Sequence, residues 1–298
     1  WQSIFFVCSG VGAIVTVLAR LFLKGEWLGE RGERFDLFGA AIYGIALFGL
    51  IFGFSKLPHA LGIACLLGGV FFMTLFILRE RRHTAPLLDV RLFSGNRVFA
   101  LSSLASLINY AATAAIGFML SLYLQYVRGF DARHAGMILI AQACVQTLFS
   151  LISGPLSDRV PAYKLATGGM AVIVAGLAGL IFITPQTPLW MIVGLLGLLG
   201  VGFGIFSSPN TNVIMGAVDK KHYGQASAIA GTMRLTGQAF SMGIAGMVIS
   251  YRVGNVQIVP SLYPQFMESI RITFTILVFL CLIGLYASSA RGNGVVGK

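Results

Sequence analysis

Nine stretches of this sequence run long enough without a charge to cross a lipid bilayer, and the short segments between them hold nearly all the charged residues. A helix rises about 1.5 Å per residue and has roughly 30 Å of hydrocarbon to cover, so about 20 apolar residues form the unit to search for. Such units lie near 4–23, 37–55, 60–78, 99–125, 135–156, 165–184, 189–209, 226–249 and 272–289. Barrel strands would alternate every second residue over about ten positions, whereas these runs are continuous. With 57% hydrophobic and 10% charged residues, the chain departs from water-soluble folds, which carry about 25% charge. The fold class is therefore all-α, a polytopic membrane protein of nine transmembrane helices.

The net charge of +11 does not indicate nucleic acid, because Lys and Arg sort by side. Counting alternate loops, one side collects Arg20, Lys24, Arg31, Arg34, Arg79, Arg81, Arg82, Arg91, Arg97, Arg159, Lys164, Lys220, Lys221, Arg291 and Lys298. The other holds Lys56, Arg128, Arg133, Arg252 and Arg271. In short loops the richer side faces the cytoplasm, which places the C-terminus inside and Trp1 outside. The first apolar run has no basic leader and no small-residue cleavage site, so it does not read as a signal peptide. It reads as the mouth of a helix already in progress, and the chain as a fragment. Cys8, Cys65, Cys144 and Cys281 are widely spaced within spans and read as packing residues, and His59, His83, His134 and His222 form no i, i+4 pair, so no metal site is expected.

No loop is long enough for a folded nucleotide-binding domain, and no phosphate-loop motif occurs. Gly194, Gly197, Gly200, Gly202 and Gly204 lie inside an apolar span and read as close helix packing. Thr184, Pro185, Gln186, Thr187 and Pro188 divide two spans into a helical hairpin. Pro209, within Ser207–Asn212, is expected to disrupt the inner end of the second helix, either as a plain stop or as a broken end that frees backbone groups.

Polar side chains in lipid are costly unless they face protein or a wet cavity, so their angular positions matter. Ser102, Ser106, Asn109 and Thr113 fall within about 60° on the fourth span, with Tyr110 beside them. Gln142, Gln146, Ser150 and Ser153 share one face of the fifth, and Ser227, Arg234, Gln238 and Ser241 one face of the eighth. Serine and threonine at such positions read as interhelical hydrogen bonds. The two glutamines and the Arg234–Gln238 pair carry more donors than a tight seam satisfies and read as lining a hydrated pathway. Arg234 is the one charge well inside a span; it either snorkels to the inner headgroups or meets a partner, and no Asp or Glu lies inside any predicted span.

Gly154, Pro155, Leu156, Ser157, Asp158 and Arg159, followed by Lys164, close the fifth span at its cytoplasmic end. This turn resembles the Gly-x-Leu-x-Asp-Arg-x-Gly-Arg loop of the major facilitator superfamily in its C-terminal copy, with Val160, Pro161 and Ala162 departing from the pattern. Other stretches resemble the fourteen-span drug/proton antiporter branch. Trp1, Ile4, Phe5, Phe6 and Gly12 are similar to the start of its sixth span, with Cys8 and Gly10 in place of Asn and Pro. Leu87, Leu88, Asp89, Val90, Arg91, Leu92 and Phe93 resemble the link into its ninth. Tyr123, Leu124, Gln125, Gly129 and Gly136 resemble the turn between spans nine and ten, and Arg234 with Gly237 the thirteenth.

The resemblance implies spans six to fourteen: residues 1–25 as the last helix of an N-terminal bundle, 36–80 as two linking helices and 97–290 as a C-terminal six-helix bundle. It implies a secondary active exporter in the plasma (bacterial inner) membrane that exchanges protons for amphipathic organic molecules, with no enzyme activity and no cofactor beyond the proton gradient. The proton-binding acid would lie in the missing N-terminal bundle, and an adaptor protein in the periplasm is a further candidate partner. Asn109, Tyr110, Gln142 and Gln146 would line the cavity, Arg234 and Gln238 would form a polar contact near the inner gate, and Gly154, Asp158 and Arg159 would bias the conformational cycle. A siderophore or metabolite exporter, an importer and a non-transporting scaffold stay open as alternatives.

Overall fold

A computed structural model describes residues 2–22, 36–82, 88, 91–157, 159–254, 256 and 258–291. Among them every regular element is helical. The chain divides into two compact units, Trp1–Phe35 and Asp36–Lys298. The first contains α1 (Gln2–Phe22), in which Thr16 Oγ1 donates to the Gly12 carbonyl at 2.8 Å.

The second unit begins with a hairpin, α2 (Leu37–Ser55) and α3 (Ala60–Glu80). Asp36 caps α2 by accepting from the Gly39 amide at 2.8 Å. The short α4 (Arg91–Gly95) leads to α5 (Arg97–Thr113), capped by Asn96 through the Phe99 amide at 2.9 Å. Ala114 interrupts the helix, α6 (Ala115–Leu122) resumes it, and a π turn over Tyr123–Val127 ends it. Then follow α7 (Ala132–Leu156), α8 (Ala162–Ile181), α9 (Leu189–Gly216), α10 (Tyr223–Arg252) and α11 (Tyr263–Ser289).

Among the described residues, eight helical stretches are long and apolar enough to cross a membrane: Phe5–Phe22, Leu37–Phe54, Ala60–Glu80, Arg97–Val127, Ala132–Ser157, Ala162–Ile181, Leu189–Gly216 and Pro260–Ser289. The remaining expected span is α10, which at 30 residues has ample length, about 45 Å. Gln225, Ser227, Arg234, Gln238 and Ser241 dilute its apolar character.

Two segments extend furthest beyond their expected bounds. α9 continues through Pro209 to Gly216 rather than ending at the proline. The proline removes one donor, but the helix runs on past it: Thr211 Oγ1 donates to the Ser207 carbonyl of the same helix at 2.9 Å, and Pro209 itself is buried. α11 begins nine residues before the expected 272, at Tyr263, and Glu268 in this added stretch pairs with Arg252 of α10 at 3.1 Å in a half-exposed position.

The core joins α5, α6, α8, α9 and α11 through Ile108, Met119, Met170, Phe206 and Phe274. α9 is the central slab, packing α8 on one side and α7 on another. Its glycines permit this. A Cβ on Gly202 would lie 2.8 Å from the Gly169 carbonyl of α8, and one on Gly200 would lie 2.6 Å from the Gln142 carbonyl of α7. Gly204 meets α7 similarly, whereas Gly194 and Gly197 face open space and serve no such contact.

Candidate functional site: polar helix faces and a buried arginine

The three polar stripes come to different ends. On α5, Ser102, Ser106, Asn109 and Thr113 are all buried. Asn109 is wholly inaccessible, and neither Nδ2 nor Oδ1 has a hydrogen-bond partner. Tyr110 is half-buried where α5 meets α10: a Cβ on Gly237 would sit 3.0 Å from Tyr110 Cβ. Gln238 follows on α10, half-buried, and Arg234 one turn earlier is exposed. The structure thus brings Tyr110, Gln238 and Arg234 onto adjoining helices.

Ser241, the last member of the α10 stripe, turns into the bundle and accepts the Ala115 amide at 2.9 Å. That amide opens α6 directly after the interruption at Ala114, where a donor would otherwise be stranded in an apolar interior. Ser241 therefore holds a helix break.

On α7 the stripe follows the seam with α9. Gln142 and Gln146 are half-buried there, their carbonyls near Gly200 and Gly204. Further along, Ser153 Oγ donates to the Gly204 carbonyl at 2.8 Å, and Asn212 Nδ2 donates to Ser157 Oγ at 3.2 Å. The serines are interhelical ties, as their residue type suggests. In the turn beyond, Gly154 is half-buried with no close neighbour for a Cβ, Arg159 is exposed, and Asp158 lies outside the described residues.

Charges at the Arg/Lys-rich ends of the helices make two further groupings. Arg291, counted in the sequence as a loop cation, is only 3% exposed. Its Nη1 donates to Asn210 Oδ1 at 2.7 Å and Ser102 Oγ at 3.2 Å, and its Nη2 to Ser288 Oγ at 2.6 Å. Ser288 in turn shares a 2.8 Å hydrogen bond with Thr167. One guanidinium thereby gathers α5, α8, α9 and α11 through neutral oxygens. Burial without a carboxylate in these contacts lowers its pKa to about 10, so it stays protonated at neutral pH. The second grouping joins Arg79 of α3 to both carboxylate oxygens of Asp36, one at 2.9 Å, and to Glu80 Oε1 at 3.2 Å. Glu80 is buried and accepts the Leu88 amide at 3.1 Å with its other oxygen. At the opposite end, Arg128 donates to the Pro185 and Thr187 carbonyls at 2.9 and 2.7 Å, and the Tyr123 hydroxyl donates to the Thr184 carbonyl at 2.7 Å. These bonds fasten the turn after α6 to the α8–α9 hairpin.

The profile of the Major Facilitator Superfamily matches residues 1–242 and, in a second overlapping alignment, 102–291. The chain belongs to the major facilitator superfamily. As a member of this family it is an integral membrane protein, and several curated relatives are named as transporters or export proteins. It is 26% identical over 248 residues to the riboflavin transporter RibZ of Clostridioides difficile (strain 630), covering 82% of this chain and 53% of that protein. It is 28% identical over 255 residues to the multidrug resistance protein Stp of Mycobacterium tuberculosis (strain H37Rv), covering 84% and 47%. With the cephamycin export protein CmcT of Amycolatopsis lactamdurans it shares 30% identity over 253 residues, covering 82% and 52%. The chain thus spans about half the length of the curated relatives it matches. Among solved structures, a bacterial homolog of the human lysosomal transporter Spinster, inward-facing and unoccupied, superimposes with a TM-score of 0.54 at 16% identity, covering 85% of this chain and 64% of that one. That likeness supports the fold.

Proposed function

We propose that this major facilitator chain belongs to a secondary active transporter that exports amphipathic organic molecules in exchange for protons. The observation that carries the proposal is the half-buried polar surface of Gln142, Gln146, Tyr110 and Gln238 on three helices of membrane-spanning length. Such amide and phenol groups can line a route for a solute without adding a fixed charge to it. The resistance and export proteins among its relatives support the direction.

In this reading residues 1–25 close an N-terminal bundle, 36–80 form the linking hairpin and 97–290 form the C-terminal bundle. The two bundles rock about a central site between them. The coupling proton binds in the N-terminal bundle. The protein sits in the plasma membrane with its C-terminus cytoplasmic, following the Lys/Arg asymmetry. It acts as a carrier and not as an enzyme.

The test uses the full-length protein in proteoliposomes loaded with a cationic dye. Efflux driven by an imposed pH gradient and lost when that gradient is collapsed is the expected result. A dye flux identical with and without the gradient removes proton coupling, and no flux at all favours a scaffold.

A further inference from the structure

Between the α2–α3 hairpin and helices α5 and α10 lies a cavity of about 470 Å³. Its walls include Leu47 and Leu50 of α2, Met73 and Phe76 of α3, and Ile229 and Met233 of α10. Two of its polar lining groups satisfy each other: the Tyr43 hydroxyl donates to Thr232 Oγ1 at 2.6 Å. The pocket therefore offers its occupant almost nothing but hydrocarbon contact. Along α3 it runs from Met73 to Arg81, roughly 12 Å of helix rise.

Its mouth is charged. Arg81 lines it and is exposed, as is Arg82 beside it. The outer faces of the hairpin carry exposed Phe48, Leu67, Phe71 and Leu78, an apolar surface suited to lipid. A long apolar occupant bearing an anion at one end matches both the lining and the mouth.

We propose that this cavity binds an acyl chain of an anionic phospholipid drawn from the leaflet on the arginine-rich side, with its phosphate against Arg81 and Arg82. The lipid would wedge the hairpin against α10 and fill a space that water has no polar reason to enter.

The experiment reconstitutes the full-length protein in nanodiscs containing phosphatidylglycerol with a photoactivatable diazirine in its acyl chain. Phosphatidylcholine with the same chain serves as comparison. Phosphatidylglycerol should label peptides containing Met73 or Met233 roughly thirtyfold more than phosphatidylcholine, the factor expected of two interfacial arginines. Arg81→Ala combined with Arg82→Ala should bring the ratio near one, and Met233→Trp, which fills the cavity, should cut labelling at least about fivefold. Met73→Trp on the facing wall gives the same reading should Met233→Trp not elute as a monodisperse species. Equal labelling by the two lipids overturns the proposal. So does labelling unchanged in the filled variants, or displacement of the probe by an equimolar free fatty acid.

Discussion

Arg291 Nη1 donates to Asn210 Oδ1 at 2.7 Å, across 81 positions of sequence and in a place where almost no solvent reaches the guanidinium. The bond ties the end of α11 to the middle of a turn in α9 that contains Pro209. Its Nε has no partner, so the charge is held by three donated bonds and the packing around them.

Arg291→Ala should lower the melting temperature of the purified protein by several degrees, since it strands Asn210 Oδ1 in a buried site at about 1–3 kcal/mol. Burial lowers the Arg291 pKa from the higher value of a free guanidinium to about 10. The unfolded chain therefore binds the extra proton only between those values, and stability linked to this group rises with pH there and is flat below. Wild type and Arg291→Ala should consequently show parallel melting curves from pH 6 to 9. A difference that changes across that range contradicts the assignment.

Gly169→Ala should destabilise by about 1–3 kcal/mol, because the new methyl meets backbone that cannot step aside. The nearest atoms are the Gly202 carbonyl and the Phe206 amide nitrogen, each 2.7 Å from the added Cβ. Gly168 faces open space, so Gly168→Ala gives a matched control that should be neutral or slightly stabilising. Denaturant or thermal melts of the pair decide it; equal effects of the two substitutions mean the α8–α9 seam is looser than described.

Ser241→Ala removes the acceptor of the Ala115 amide. Hydrogen exchange at the start of α6 should accelerate about tenfold or more, while exchange in α8 stays as in wild type. Unchanged protection of Ala115 would show that another acceptor replaces the serine.

Cysteines placed at Gln146 and Gln238 in the full-length protein should react with a membrane-impermeant maleimide in at least one conformation of the transport cycle. Protection of both in every condition, including added substrate, defeats the carrier proposal, because the polar faces would then be seams.

Asp158→Asn should depress export several-fold without reducing the amount of protein in the membrane. The comparison is dye efflux normalised to protein in proteoliposomes. Full activity removes the Gly154–Arg159 turn from the conformational cycle.

Much of this architecture can be read directly from residue order. Apolar length alone places α2 and α7 to within a few residues, and Thr184–Pro188 marks the hairpin between α8 and α9. What periodicity cannot supply is the neighbour of each face. Gly194, Gly197, Gly200, Gly202 and Gly204 look alike in sequence, yet three meet another backbone and two meet nothing. Asn109 and Gln146 carry the same kind of group, yet one is sealed and the other half-buried. Pro209 reads as a stop because a proline's local cost is visible, while the burial that carries α9 past it is tertiary. Arg291 is the clearest case. As a charge one step beyond a span it counts toward topology, and only the convergence of Ser102, Asn210 and Ser288 shows it to be interior.

The α2–α3 hairpin is fastened to α10 at two heights: Tyr43 bonds Thr232, and the Phe54 ring lies 3.9 Å from that of Phe240. Eleven residues separate the two anchors on α2, a lever arm of about 17 Å. A rod pinned at two points shares its tilt with whatever holds it. Any swing of α10 must therefore sweep the hairpin sideways through the surrounding lipid, so membrane viscosity would brake this helix directly.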